Sequence, residues 1–150
     1  MLLVTSALLF VLGIAGQTPD AKVDRIDDRF VDQQLRYDPT LSYWYGNKAQ
    51  ANFALKRYDQ AIGLARQAIA IRPNYNAFSH LLLVAALALT GHDAEVREAL
   101  QRYLALPSTG PFKTIAAWKA HQTSLHSDPR FLEMNERTYE GLRKAGMPEE

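Results

Sequence analysis

The sequence predicts an all-α protein, a solenoid of about two to three helical hairpins closed by a C-terminal capping helix pair. Pro39, Pro73 and Pro107 stand at equal intervals of 34 residues. Between these prolines the apolar residues recur with helical spacing, and short turn clusters separate the segments. A 34-residue unit of two antiparallel helices cannot bury its own apolar face, so such units stack on one another.

Composition narrows the classes of function. The chain has 150 residues, of which 47% are hydrophobic and 22% charged, a balance typical of one globular domain. Seventeen Lys and Arg against sixteen Asp and Glu leave a net charge of +1, without the excess of basic charge that nucleic acid binding requires. The absence of cysteine excludes disulfides and thiolate chemistry.

The first sixteen residues, MLLVTSALLFVLGIAG, are nearly all apolar, and residues 1–17 have three open interpretations. They form the first helix of a degenerate repeat, or a signal peptide or membrane anchor, or they follow a mis-chosen start codon. A signal peptide usually begins with Lys or Arg, and a spanning helix needs about 17 to 25 apolar residues. Any membrane contact is expected only through residues 1–16, so a cytoplasmic location is favoured, with an anchored or exported protein as the alternative.

Helix-start and helix-stop signals divide the rest of the chain. Thr18, Pro19 and Asp20 begin a degenerate repeat helix within residues 18–39. Two full units are predicted. The first is 40–73, with helices at 41–58 and 59–71. The second is 74–107, in which Gly91 ends the first helix and a second helix runs at 93–106. The cap helices fall within 112–146, at 112–125 and 129–145, and Asp128 is expected to cap the second. The first helix of the second unit is apolar nearly all round, so it must be covered on several sides.

A set of small or turn-forming residues is expected to pack one helix on the next. These are Ala49, Ala61, Ala68, Pro73, Gly91 and Pro107. Four of them occupy the places usually given to small residues and proline in the tetratricopeptide repeat (TPR), which the chain therefore resembles. Lys48 and Asn52 depart from that pattern, because the face they share is normally apolar or aromatic. The first helix of the 40–73 unit is thus atypical for the family.

Three stretches carry a more specific resemblance: RYDQAIGLARQAIAIRPNYNAF, LLLVAALALTGHDAEVREALQRYLAL and the tail ERTYEGLRKAGMPEE. They are similar to the C-terminal TPR region of bacterial proteins whose N-terminal half is a class III adenylate cyclase or a winged-helix transcription regulator. The resemblance implies a helper module that acts as a regulatory partner in such signalling. Neither N-terminal domain fits into the residues before Asp38, so the chain looks like the module alone, a truncated or split relative.

No constellation of residues indicates catalysis, a cofactor or a metal. His121 and His126 are five apart, which turns them away from each other on a helix, whereas metal-binding histidines on one face are four apart. His80 follows a serine but has no acid at a suggestive spacing. The carboxylates Asp24 and Asp28 are interspersed with arginines and read as a solvated face. We therefore expect a non-catalytic protein without cofactor.

The aromatic run Tyr43-Trp44-Tyr45 is the best candidate for contact with a protein partner, because exposed Tyr and Trp are typical anchors of interfaces. Packing between repeats is the alternative, and it would bury Trp44 and Tyr45. The predicted groove consists of Tyr43, Asn47, Gln50, Ala54, Phe78, Leu81 and Ala85. Asn47 and Gln50 are suited to hydrogen bonding with an extended peptide.

The second half of the predicted groove is apolar, which disfavours a carboxylate clamp of paired Lys and Asn. An apolar partner helix, the chain's own N-terminal segment or a second copy of the chain fits that surface better. The sequence does not identify the partner.

Overall fold

The structure is a computed structural model that describes residues 41–74, 76–125 and 128–150, all within the compact unit Pro39–Glu150. The predictions for residues 1–17 and 18–39 lie outside the described residues. The described part contains six α-helices and no strand, which confirms the predicted all-α class. The helices are α1 (Ser42–Ala54), α2 (Tyr58–Ile71), α3 (Ala77–Leu89), α4 (Asp93–Ala105), α5 (Ile115–Leu125) and α6 (Pro129–Lys144), with a 3₁₀ turn at Pro107–Thr109.

Two helix boundaries differ from the predicted ones by several residues. The helix predicted at 41–58 ends at Ala54, because Lys56 adopts a left-handed φ of 60° that no α-helix can continue. The helix predicted at 112–125 begins only at Ile115. Before it, the chain turns back, with the amide of Phe112 donating to the carbonyl of Thr109 at 2.7 Å.

Other helix ends agree with the predicted signals. Gly91 has φ 77° in the turn between α3 and α4, and Gly146 has φ 84° after α6, conformations that glycine adopts without steric cost. At the start of α6 the Asp128 side chain accepts a hydrogen bond from the amide of Arg130 at 2.9 Å. Asn76 caps α3 in the same way through the amide of Ser79, at 3.1 Å.

Consecutive helices pack on one another, α1 on α2, α2 on α3 and α3 on α4, and α1 also contacts α3. This arrangement is compatible with successive helical hairpins. The small residues predicted at the close helix contacts, Ala49, Ala61 and Ala68, are fully buried. Of the predicted turn positions, Pro73 and Pro107 are exposed at the ends of the two units.

Helix α3 is the centre of the core, and the C-terminal helix covers its remaining side. Val84 and Ala85 are fully buried, and α6 packs against α3 much more extensively than against its neighbour α5. The prediction that an almost wholly apolar helix must be covered on several sides is therefore confirmed.

The C-terminal tail closes the first turn of α5. The carbonyls of Pro148 and Glu149 accept hydrogen bonds from the amides of Ile115 and Ala116, both at 2.9 Å. Met147 is buried just before them. The backbone amides in the first turn of a helix have no acceptor within that helix. For α5 the tail that follows α6 supplies two of these acceptors.

Candidate partner-binding surface

The predicted stripe on α1 lies at the surface. Tyr43 is 60% exposed, Asn47 and Ala54 are exposed, and Gln50 is half-buried. Trp44 is also 60% exposed, so the expectation that packing buries both Trp44 and Tyr45 is wrong for Trp44; only Tyr45 is buried. Two large aromatic side chains therefore stand next to each other at the N-terminal end of α1.

A close contact between α1 and α3 determines which face of α1 is exposed. Gly46 lies against α3, where a Cβ at position 46 would stand 2.8 Å from the Ser79 hydroxyl. On the same side, Ser42 and Ala49 are fully buried. Tyr43 follows Ser42 directly and is turned from it by about 100° around the helix, so it lies at the edge of this contact, where its side chain is exposed.

The α3 half of the predicted groove is not a free surface. Leu81 and Ala85 are buried among the helices of the chain itself, and Gly141 of α6 lies directly against Ala85. Phe78 is partly buried, with its ring centroid 6.3 Å from that of Trp118. Part of the stripe on which an apolar partner, the N-terminal segment or a second copy was expected is occupied by α6. The candidate surface is reduced to the α1 stripe.

A cleft of about 340 Å³ lies at the C-terminal end of that stripe, between α1, the α1–α2 turn and α6. We call it the basic cleft. It is lined by Phe53, Ala54, Lys56, Arg130, Glu133, Met134 and Arg137. Phe53 is buried and Met134 is partly buried, so the cleft has an apolar floor, whereas its walls carry three cations and one carboxylate.

Lys56 holds the conformation that glycine holds in the other hairpin. Its φ is 60°, and that of Gly91 in the α3–α4 turn is 77°. Each lies five residues before a buried residue of the following helix, Ala61 or Val96. A non-glycine residue pays about 1–2 kcal/mol for the left-handed conformation. The α1–α2 turn therefore keeps a lysine where glycine would be the more stable choice.

The two arginines of the basic cleft have polar or acidic partners. Arg137 donates from Nε to the Tyr58 hydroxyl at 3.0 Å and from Nη1 to Glu140 at 2.8 Å. The hydrogen bond to Tyr58 is the main reason why the pKa of Arg137 is raised. Arg130 lies 3.6 Å from Asp128. For Lys56, no ion pair is found among the described residues, so its ammonium remains available to a ligand.

A second cleft, of about 360 Å³, lies between α2, α3 and α4, with Leu83 and Leu87 in its wall. Its charges neutralise each other, since Arg66 pairs with Glu95 and Arg102 with Glu98. It therefore offers a ligand no uncompensated charge.

Buried His80 also lines this second cleft. Its Nε2 lies 2.8 Å from the carbonyl of Pro73, and because a carbonyl only accepts, the ring nitrogen donates. Burial lowers the pKa of His80. The imidazole is thus held neutral as a structural hydrogen-bond donor that ties α3 to the end of the preceding hairpin.

Within the described ranges, no group of three or more His, Cys, Asp or Glu residues is arranged to hold a metal ion. His121 packs on the rings of Phe112 and Trp118, at centroid distances of 4.8 and 6.0 Å. In the part of the chain that the structure describes, no helix combines the length and apolar character needed to cross a bilayer.

Comparison of the chain with protein-family models, with curated proteins and with solved structures gave no significant match.

Sequence reasoning found the exposed stripe on α1 but missed the basic cleft. Lys56 and Arg137 both line the cleft although they are far apart in the sequence, and no local pattern predicts that they come together. One signal was present in the sequence: Lys56 lies five residues before Ala61, and Gly91 lies five residues before Val96. A lysine at a turn position that glycine occupies in the next unit indicates that the side chain has a role for which backbone strain is tolerated.

Proposed function

We propose that the chain is a non-catalytic protein–protein interaction module of the TPR type, which binds its partner along α1. The observation that carries this proposal is the exposure of Tyr43 and Trp44, 60% each, on a helix that is buried against α3 through Ser42, Gly46 and Ala49. Large exposed aromatic side chains are frequent anchors of protein interfaces. Asn47 and Gln50 follow at helical spacing and offer donors and acceptors to a peptide backbone.

The 34-residue interval supports the repeat assignment. Two side-chain hydrogen bonds join residues one interval of 34 apart. Asn76 Nδ2 donates to the backbone carbonyl of Ser42, and the Ser108 hydroxyl donates to the backbone carbonyl of Asn74, both at 3.5 Å. Equivalent positions of successive units thus meet across their interface, as stacking of repeats requires.

The experiment is capture of partners by the tagged full-length chain expressed in its own host, followed by mass spectrometry. The test variant combines Tyr43→Ala with Gln50→Ala, and the matched control combines Arg97→Ala with Gln101→Ala on the exposed face of α4. We expect a reproducible partner with the wild type and the control but not with the test variant, and equal thermal melts for all three. Capture of the same proteins by all three chains would contradict the proposal.

The partner's pathway is proposed from the resemblance alone. A role as a regulatory partner in cyclase-like or transcriptional signalling predicts that purified host cyclases or winged-helix regulators bind the chain. Absence of binding in such an assay would remove this part of the proposal and leave the interaction module intact.

A second candidate function rests on the apolar residues 1–16. In this alternative the chain is a small membrane-anchored or exported protein whose repeat body is held at the membrane surface. Cell fractionation, with mass spectrometry of the N-terminus, separates the two candidates. A processed or membrane-retained chain favours the alternative, and an uncut chain in the soluble fraction favours the first candidate.

A further inference from the structure

We propose that the basic cleft binds a segment of the partner protein in which one apolar residue is flanked on both sides by Asp or Glu. This inference rests on the proposed function, because it specifies the chemistry of the partner that the module binds. It also extends the binding surface beyond α1, to the α1–α2 turn and to α6.

The shape of the cleft selects an apolar side chain as the anchor. Its floor is formed by Phe53 and Met134, from α1 and α6. A volume of about 340 Å³ lies at the lower end of ligand pockets, suited to one large side chain with its adjoining backbone. An apolar residue placed there leaves water and covers the exposed edge of this floor.

The charges on the walls select acidic residues on either side of the anchor. Lys56 lines the cleft from the α1–α2 turn, and Arg130 and Arg137 line it from α6, whereas Glu133 is the single carboxylate of the lining. Asp128 and Glu140, which pair with the two arginines, lie outside the lining. Cations therefore outnumber carboxylates in the lining by three to one, on both of the elements that carry them, which favours an acidic segment over a basic one.

The backbone of Lys56 is an independent indication that its side chain serves a purpose in this place. Its left-handed φ of 60° is unfavourable for lysine, and the equivalent turn uses Gly91. Strained backbone of this kind concentrates at functional positions. The strained residue is also the one cation of the lining that lacks an ion pair among the described residues.

The cleft is continuous with the α1 stripe. Ala54 belongs to both, as the last residue of the stripe and part of the cleft lining. A single extended segment can therefore run from the aromatic pair at the N-terminal end of α1 to the basic cleft at its C-terminal end.

The test uses the full-length chain and twelve-residue fluorescein-labelled peptides with a central Leu or Phe between two Glu residues in a Gly/Ser background. Matched peptides carry Gln in place of Glu, or Ala in place of the central residue. We expect fluorescence polarisation to show at least tenfold weaker binding of both matched sets. Binding of the acidic peptides should weaken further as salt is raised, because exposed ion pairs are screened.

Lys56→Gly is the decisive variant, since it removes the charge and relieves the backbone strain together. We expect it to weaken binding about two- to fivefold, the contribution of one exposed ion pair, with an unfolding midpoint equal to or above that of the wild type. Lys113→Gly, which removes an exposed lysine from another bend, is the matched control and should bind as the wild type does. Equal affinity for Glu and Gln peptides, or unchanged binding by Lys56→Gly, would overturn the inference.

The outcomes separate this inference from the function on which it rests. If no peptide binds but the natural partner is still lost with the Tyr43 and Gln50 variant, the basic cleft is refuted and the interaction module stands. If acidic peptides bind and are weakened by Lys56→Gly while that double variant keeps every partner, the cleft is supported and the α1 stripe is refuted.

Discussion

Gly141 of α6 lies directly against the backbone of Ala85 of α3. A Cβ at position 141 would stand 2.5 Å from the Ala85 carbonyl oxygen and 2.8 Å from its Cα, distances that real Cβ atoms essentially never show. Because the obstacle is backbone and not the end of a flexible side chain, it cannot move aside without shifting a helix. The two helices therefore meet at a position where only glycine fits, and this contact fixes how α6 is seated on the core.

The first prediction concerns this contact. Gly141→Ala should lower the free energy of unfolding by about 1–3 kcal/mol, the usual cost of overpacking a close contact. Gly63→Ala in α2 is the control, since a Cβ there meets nothing within 4 Å and should gain up to about 1 kcal/mol from helix propensity. Urea unfolding of both variants measures the difference. A Gly141→Ala variant as stable as Gly63→Ala would show that α6 is not seated as described.

The buried alanines of α2 provide a second prediction. Ala61 and Ala68 are fully buried, so Ala61→Glu or Ala68→Glu should destabilise the fold by several kcal/mol, enough to unfold a domain of this size. Ala70→Glu, two residues along the same helix, is exposed and should change the stability little. Circular dichroism melts would detect the contrast. If the buried and exposed substitutions had equal effects, the close packing of α2 would be refuted.

A buried hydrogen-bond chain predicts a dependence on alkaline pH. Trp118 donates from Nε1 to the Tyr103 hydroxyl at 2.5 Å, and that hydroxyl donates to the carbonyl of Phe112. Burial raises the pKa of Tyr103 to about 12, although the hydrogen bond from Trp118 opposes the rise. An unfolded tyrosine has a pKa near 10. The stability that this shift represents is present below about pH 10 and is lost as the pH rises through about 12.

Tyr103→Phe tests this dependence. At pH 8 the variant should be less stable than the wild type by about 1–3 kcal/mol, because the indole of Trp118 loses its acceptor. The difference in stability should narrow between about pH 10 and pH 12. In that range the phenol of Tyr103 ionises in the unfolded wild type but not in the folded one, which lowers the stability of the wild type, and the variant has no such phenol. Urea midpoints at pH 8, 10 and 11.5 measure it. A gap that stays constant up to pH 11.5 would contradict the raised pKa of Tyr103.

The C-terminal tail provides a fourth prediction. Deleting residues 148–150 removes the carbonyls that accept from Ile115 and Ala116 and should cost about 0.5–2 kcal/mol, as loss of a helix cap does. Amide hydrogen exchange should accelerate in the first turn of α5. Deleting Glu150 alone is the control, because its backbone forms neither bond. Equal exchange rates in both truncated chains would mean that the tail does not cap α5.

The sequence was informative where neighbouring segments decide the structure. Successive helices, the turn at Gly91 and the cap at Asp128 follow from local side-chain and backbone preferences, and these were predicted correctly. The burial of Ala61 and Ala68 was expected because they occupy places that a pattern of closely packed helical hairpins gives to small residues.

The sequence was uninformative where distant segments meet. An apolar face on α3 requires a cover, but its composition does not distinguish a partner from the chain's own α6; the decisive residue is Gly141, whose fit depends on the position of Ala85. Trp44 was misplaced for a similar reason, because its exposure depends on how Gly46 turns α1 against α3. The ending of α1 was mispredicted because lysine seldom adopts the left-handed conformation found at Lys56.

The seating of α6 on α3 also has a consequence for the order of events during synthesis. Ala85 leaves the ribosome 56 positions before Gly141. At a synthesis rate of about 5–20 residues per second, roughly 3–11 s separate the synthesis of Ala85 from that of Gly141. Throughout that interval the most apolar helix of the described chain presents an open flank to the cell. The arrival of α6 therefore determines when this flank of α3 is covered in the nascent chain.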